Sequence, residues 1–134
     1  MTQDATGGAA LQGFLMKLDI NTLTSVWTVQ LSVEPHSNQN DSDVAVEAIA
    51  CPVTGDGKTV YVAGTVSGHA VMPLLGTFES FGGATDVWVS KLDERTGKRK
   101  FVRQLGTAGA DDLPVRGGLA VDKVGNAVLV VNTD

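Results

Sequence analysis

The chain holds a single cysteine, Cys51, which excludes an internal disulfide and leaves the redox compartment open. Cationic runs are equally scarce. None exceeds Lys98-Arg99-Lys100, which reads as a solvated strand start. With a formal net charge of −5 and a pI near 4.8, no nucleic-acid partner is expected. No stretch approaches the roughly 18 apolar residues of a membrane helix, so no membrane insertion is expected. The opening Met1-Thr2-Gln3-Asp4-Ala5-Thr6 has no basic region followed by an apolar one, and so no signal peptide is expected there. Aromatic residues make up only 5% and there are two histidines, so large stacked platforms and histidine clusters are not on offer.

What is present suits one domain of short strands. Hydrophobic residues reach 43% of 134, enough for a buried core. The 16 glycines outnumber the 4 prolines, as glycine turns between strands require. The chain also repeats itself. Gly82-Gly83-Ala84-Thr85-Asp86-Val87-Trp88-Val89-Ser90-Lys91-Leu92-Asp93 has a looser copy in Gly8 to Asp19, at an offset of 74 from Lys17 to Lys91. Asp41 and Asp111 give an offset of 70, and the last strands give 68. The falling offset places insertions in loops, where they are tolerated.

Two repeats follow from this alignment. The first spans 8–66, with an outer hairpin over 13–32 and an inner hairpin over 45–66. A connecting loop covers 67–81. The second spans 82–134, with an outer hairpin over 86–105 and an inner hairpin over 117–133. Phe14, Met16 and Leu18 share one face of the first strand, and Trp27, Val29 and Leu31 share one face of the second. Ala45 to Cys51 has helix-forming alanines, yet its counterpart carries Gly117-Gly118, so both read as strands. Gly106 to Pro114 reads as a loop.

Repeats of four short strands suggest propeller blades. Gly118-Leu119-Ala120-Val121-Asp122, Gly125-Asn126, Val60-Tyr61-Val62-Ala63-Gly64-Thr65 and Asp86-Val87-Trp88-Val89-Ser90-Lys91-Leu92-Asp93 together resemble the seven-bladed β-propeller repeat family of SBBP type. The first copy departs from the family pattern at Cys51-Pro52 and at Gln12. The resemblance implies an all-β segment of a β-propeller: one full four-stranded antiparallel blade over 45–105, flanked by half-blades over 13–32 and 117–133. Small strands such as Ala48-Ile49-Ala50 would sit innermost and Trp27 and Phe101 outermost. Trp88 is expected to lie buried between blades.

Chemistry is thinly represented. Gly55-Asp56-Gly57-Lys58-Thr59 superficially matches a phosphate loop but lacks a glycine at Pro52 and a following helix, and reads as a hairpin turn. Asn38, Asn40, Asp41 and Asp43 alternate oxygen ligands as calcium sites do, without the central glycine and distal glutamate of an EF-hand. The expectation is a solvated polar loop, with calcium as the alternative and no other metal or cofactor. Asp111-Asp112 reads as a turn capping backbone groups, with an ion as the alternative. Asn40-Asp41-Ser42 is a glycosylation sequon, relevant only to a protein secreted from a eukaryote. His36 and His69 lie in loops, and Cys51 reads as a small core residue rather than a nucleophile. No catalytic residue is assigned.

The function expected from this is a non-catalytic structural, adhesive or assembly module. The family resemblance adds an extracellular or cell-surface setting. Its partners would be further blades of the same longer chain or other copies head to tail, with a surface glycan or protein held at loops such as 32–43. The alternative is part of a propeller enzyme (a lyase, hydrolase or quinone-dependent dehydrogenase) whose site is completed by blades outside this chain.

Overall fold

The computed structural model describes residues 12–31, 43–52, 58–67, 84–114 and 118–134. Among them the secondary structure is all strand, without helix. Three consecutive hairpins and a fourth shorter one account for most of it. Strands β1 (Gly13–Leu18) and β2 (Ser25–Leu31) pair antiparallel as a two-stranded sheet. Strands β3 (Ala48–Ala50), β4 (Thr59–Ser67), β5 (Thr85–Asp93) and β6 (Arg99–Leu105) form a four-stranded antiparallel sheet in that order. A short β7 (Asp111–Asp112) pairs with β10 (Asn132–Thr133), and β8 (Leu119–Val121) pairs with β9 (Ala127–Leu129).

The four-stranded sheet is the middle layer. Its two central strands, β4 and β5, run almost continuously apolar because both faces are covered. Val60, Val62 and Val66 of β4 and Trp88 and Leu92 of β5 pack on one side with Leu15, Val29 and Leu31 of the first hairpin. The alternate residues Tyr61, Ala63, Val87 and Val89 pack on the other side with Leu119, Val121 and Leu129 of the last hairpin. A side-chain period of two thus divides one sheet between two separate apolar cores. Each flanking hairpin is also tied to the middle sheet by an aromatic donor. Trp27 Nε1 donates to Glu94 O at 2.9 Å, and Tyr61 Oη donates to Gly125 O at 2.8 Å.

The reversal after β1 and the one after β5 are the same structure. Asp19 Oδ1 accepts from Asn21 N, Thr22 N and Thr22 Oγ1. Asp93 Oδ1 accepts from Arg95 N, Thr96 N and Thr96 Oγ1. Leu23 N donates to Asp19 O and Gly97 N to Asp93 O, and both residues have positive φ, 55° and 68°. Every one of these pairs is 74 residues apart, so the offset holds atom by atom through the turn.

Residues 44–50 are extended, as the strand reading of this stretch expects: Ala45 N donates to Thr65 O and Glu47 N to Ala63 O, and Val44 bridges Val66. Other sequence expectations are corrected. Asp111–Asp112, read as loop, is a strand, because β10 offers it a partner some twenty residues on. Cys51, read as core, is exposed. Period-two alternation puts Cys51 on the side of Ile49, which is itself exposed, while Ala48 and Ala50 face the core. The offset of 68 for the last strands also fails. Ile49 pairs with Val62 and Leu119 with Leu129, so an offset of 70 on the inner strand forces 67 on its partner. The apolar face Phe14, Met16 and Leu18 points outward, and Leu15 alone of the large β1 side chains joins the core.

Candidate functional site

The polar residues singled out in the sequence are not brought together. Asn38, Asn40, Asp41, His36, His69 and the turn at 53–57 lie outside the described residues. Asp43 is described, and its backbone starts a ladder: its N donates to Ser67 Oγ at 2.9 Å and its carbonyl accepts from Ser67 N at 3.0 Å. Among the described residues no group of three or more histidine, cysteine or acidic side chains is placed to hold a metal ion.

The acidic residues that are described act mostly on the backbone. Hydrogen bonds hold the Asp19 carboxyl below the usual carboxylate range, chiefly from Thr22 N–H and then from Asn21 N–H and the Thr22 hydroxyl. Asn126 N–H and its side-chain amide do the same for Asp122. At Asp93 burial pulls upward, and the bonds from Thr96, Arg95 and Lys100 outweigh it. These are turn-forming carboxylates whose acceptor capacity is spent on neighbouring N–H groups.

One buried polar group was not legible beforehand. Asp86 on β5 and Gln104 on β6 meet diagonally, since Gln104 is paired with Trp88; both are buried, with Gln104 Nε2 donating to Asp86 Oδ2 at 2.6 Å. Asp111, also buried, accepts from Thr107 N at 2.5 Å. The two carboxylates converge on Gly106, where a Cβ would overlap Asp86 Oδ1 and lie 3.1 Å from Asp111 Oδ2. The only signal was an aspartate opening an apolar strand. The cluster pins β5 to the loop before β7, and burial keeps it from acting on a solvent-borne substrate.

The surface features that stand out are apolar. Phe14, Met16, Leu18 and Val26 form an exposed face on the first hairpin, and Val128 and Val130 one on the last. Among the described strands only β4 and β5 have a neighbour on both edges; β1 pairs only with β2, and β9 only with β8. Exposed apolar faces beside open strand edges are suited to receiving another strand. No protein-family model matches the sequence, and a search of the curated proteins finds no match.

Proposed function

We propose that this chain is a non-catalytic segment of a β-propeller, a full blade flanked by an outer and an inner half-blade. It serves as a structural, adhesive or assembly module of an extracellular or cell-surface protein. One observation carries the reading: a four-stranded antiparallel sheet is covered on one face by the hairpin before it and on the other by the hairpin after it. Propeller blades stack face to face in this way. The turns repeated at Asp19 and Asp93 support a repeat origin. The cell-surface setting rests on the family resemblance alone.

An immobilised full chain, probed on a glycan array and against purified surface proteins, should show saturable binding to a defined partner. Binding to nothing, together with turnover of a substrate, would overturn the module reading in favour of an enzyme.

A further inference from the structure

The exposed apolar side chains have buried counterparts in the repeat. Leu105 is 43% exposed, while Leu31, at the same place in the first hairpin, is 0% exposed beneath the middle sheet. Phe14 is 64% exposed and Leu18 51%, while their counterparts Trp88 and Leu92 are fully buried. Ile49 is 59% exposed, and its counterpart Leu119 is buried. Val128 and Val130 are both 54% exposed, and their counterparts Tyr61 and Ala63 are buried. In each pair the buried member faces a hairpin that the exposed member lacks.

The internal β4·β5 ladder shows what would cover them. It pairs Thr59 with Asp93 and Ser67 with Thr85, nine residues in unbroken register. Strand β9 with its continuation into β10 occupies the place of β4, and β1 occupies the place of β5. The open edges of β9 and β1 are therefore the two halves of the same ladder. Applying the offsets of 67 and 74 to the observed register sets Val130 opposite Leu15, Leu129 opposite Met16 and Ala127 opposite Leu18. The faces agree: Ala63 and Val89, the template for Val130 and Leu15, point to one side, while Val62 and Ser90, the template for Leu129 and Met16, point to the other.

We propose that β9 of one copy of this chain pairs antiparallel with β1 of a second copy, in that register, completing a four-stranded sheet between them. The inference rests on the repeat-segment reading above and names its partner. Leu105 of the first copy then covers Phe14 and Leu18 of the second, and Val128 and Val130 of the first cover Ile49 of the second. The contact is head to tail, and it closes into a ring or extends as a filament. Each copy supplies two blade equivalents, so a ring of about four to eight blades takes about two to four copies.

Full chains carrying Cys51→Ser with either Leu15→Cys or Val130→Cys are purified separately, mixed and oxidised. A mixed disulfide between the two variants is expected, because directly opposed residues bring their Cα atoms within about 4.5–5.5 Å, inside the span that a disulfide bridges. A Met16→Cys partner for Val130→Cys points to the opposite face and should cross-link at least about tenfold less. Light scattering on the unmodified chain should give a mass that is a multiple of 13.9 kDa, falling to one copy in a Val128→Lys, Val130→Lys variant with an unchanged circular dichroism spectrum. If that variant loses its spectrum, the cross-links alone decide. A monomeric unmodified chain, Leu15→Cys cross-linking to itself instead, or equal yields from both partners would each overturn the pairing. Association through another surface overturns it while leaving the module reading intact.

Discussion

Replacing Leu23 by glycine should stabilise this protein. Leu23 stands in the turn after β1 where Gly97 stands in the turn after β5, with the same hydrogen bonds around it. Its φ of 55° is left-handed, a conformation that costs a residue with a Cβ roughly 1–2 kcal/mol. Glycine relieves that strain but loses about 0.5–1 kcal/mol through the greater freedom of the unfolded chain. The Leu23 side chain is exposed, so little burial is forfeited. The net gain is about 0.5–1 kcal/mol, or roughly 2–6 °C in the unfolding midpoint. The reverse change separates strain from packing. In Gly97→Leu a Cβ would lie 2.8 Å from Trp27 Cδ2 and 3.0 Å from Val29 Cγ2, so overpacking of about 1–3 kcal/mol adds to the strain. The loss should reach about 2–5 kcal/mol. Urea unfolding followed by tryptophan fluorescence measures both, since Trp27 sits against the turn. A destabilised Leu23→Gly, or a neutral Gly97→Leu, would refute the shared geometry of the two turns.

Trp88→Ala should lose about 3–5 kcal/mol in the same urea assay, because the ring is fully buried between the first hairpin and the middle sheet. A change within error would place it at the surface. Gly64→Ala should lose at least about 1–3 kcal/mol, since a Cβ there would overlap Ala45 O and lie 3.0 Å from Trp88 Cζ2; unchanged thermal stability would contradict that close approach. The lowered carboxyls of Asp19, Asp93 and Asp122 predict an acid limb. A depressed folded-state pKa gives stability that is present above the unfolded value of about 3.9 and is lost as pH falls through the folded one. Unfolding followed from pH 5 down to about pH 2 should be shallower when the three are replaced by asparagine, and identical acid limbs would count against these turns.

Strands β4 and β5 were the most legible part of the sequence. Val60-Tyr61-Val62-Ala63 and Val87-Trp88-Val89 are β-branched and aromatic on both sides, as a strand covered on two faces demands. The Asp-to-Gly turn after β5 could be read from local chemistry, because the bonds made there by Asp93 N, O and Oδ1 reach no further than five residues. Edge features were less legible. Asp111–Asp112 has poor strand propensity and is held by a distant partner. Cys51 looked like core because its composition suited burial, but facing depends on parity and on which hairpin is present to cover it. The same one-residue sensitivity made the last offset 67 instead of 68. Gln104 carried no local sign of its bond to Asp86, since that contact exists only across paired strands. Of the four residues weighed as alternative calcium ligands only Asp43 falls among the described residues, where its backbone serves the sheet.

The four-stranded sheet is a middle layer covered on both faces, and amide hydrogen exchange on the dilute full chain puts that arrangement to the test. Backbone amides of Thr59–Ser67 and Thr85–Asp93 are paired and doubly covered, and they should exchange slowest, near the global unfolding limit. Amides of β1 and β9 directed at their open edges should exchange faster by orders of magnitude. Slow exchange concentrated in β1–β2 or β8–β9, with β4 and β5 exchanging freely, would contradict the layered arrangement.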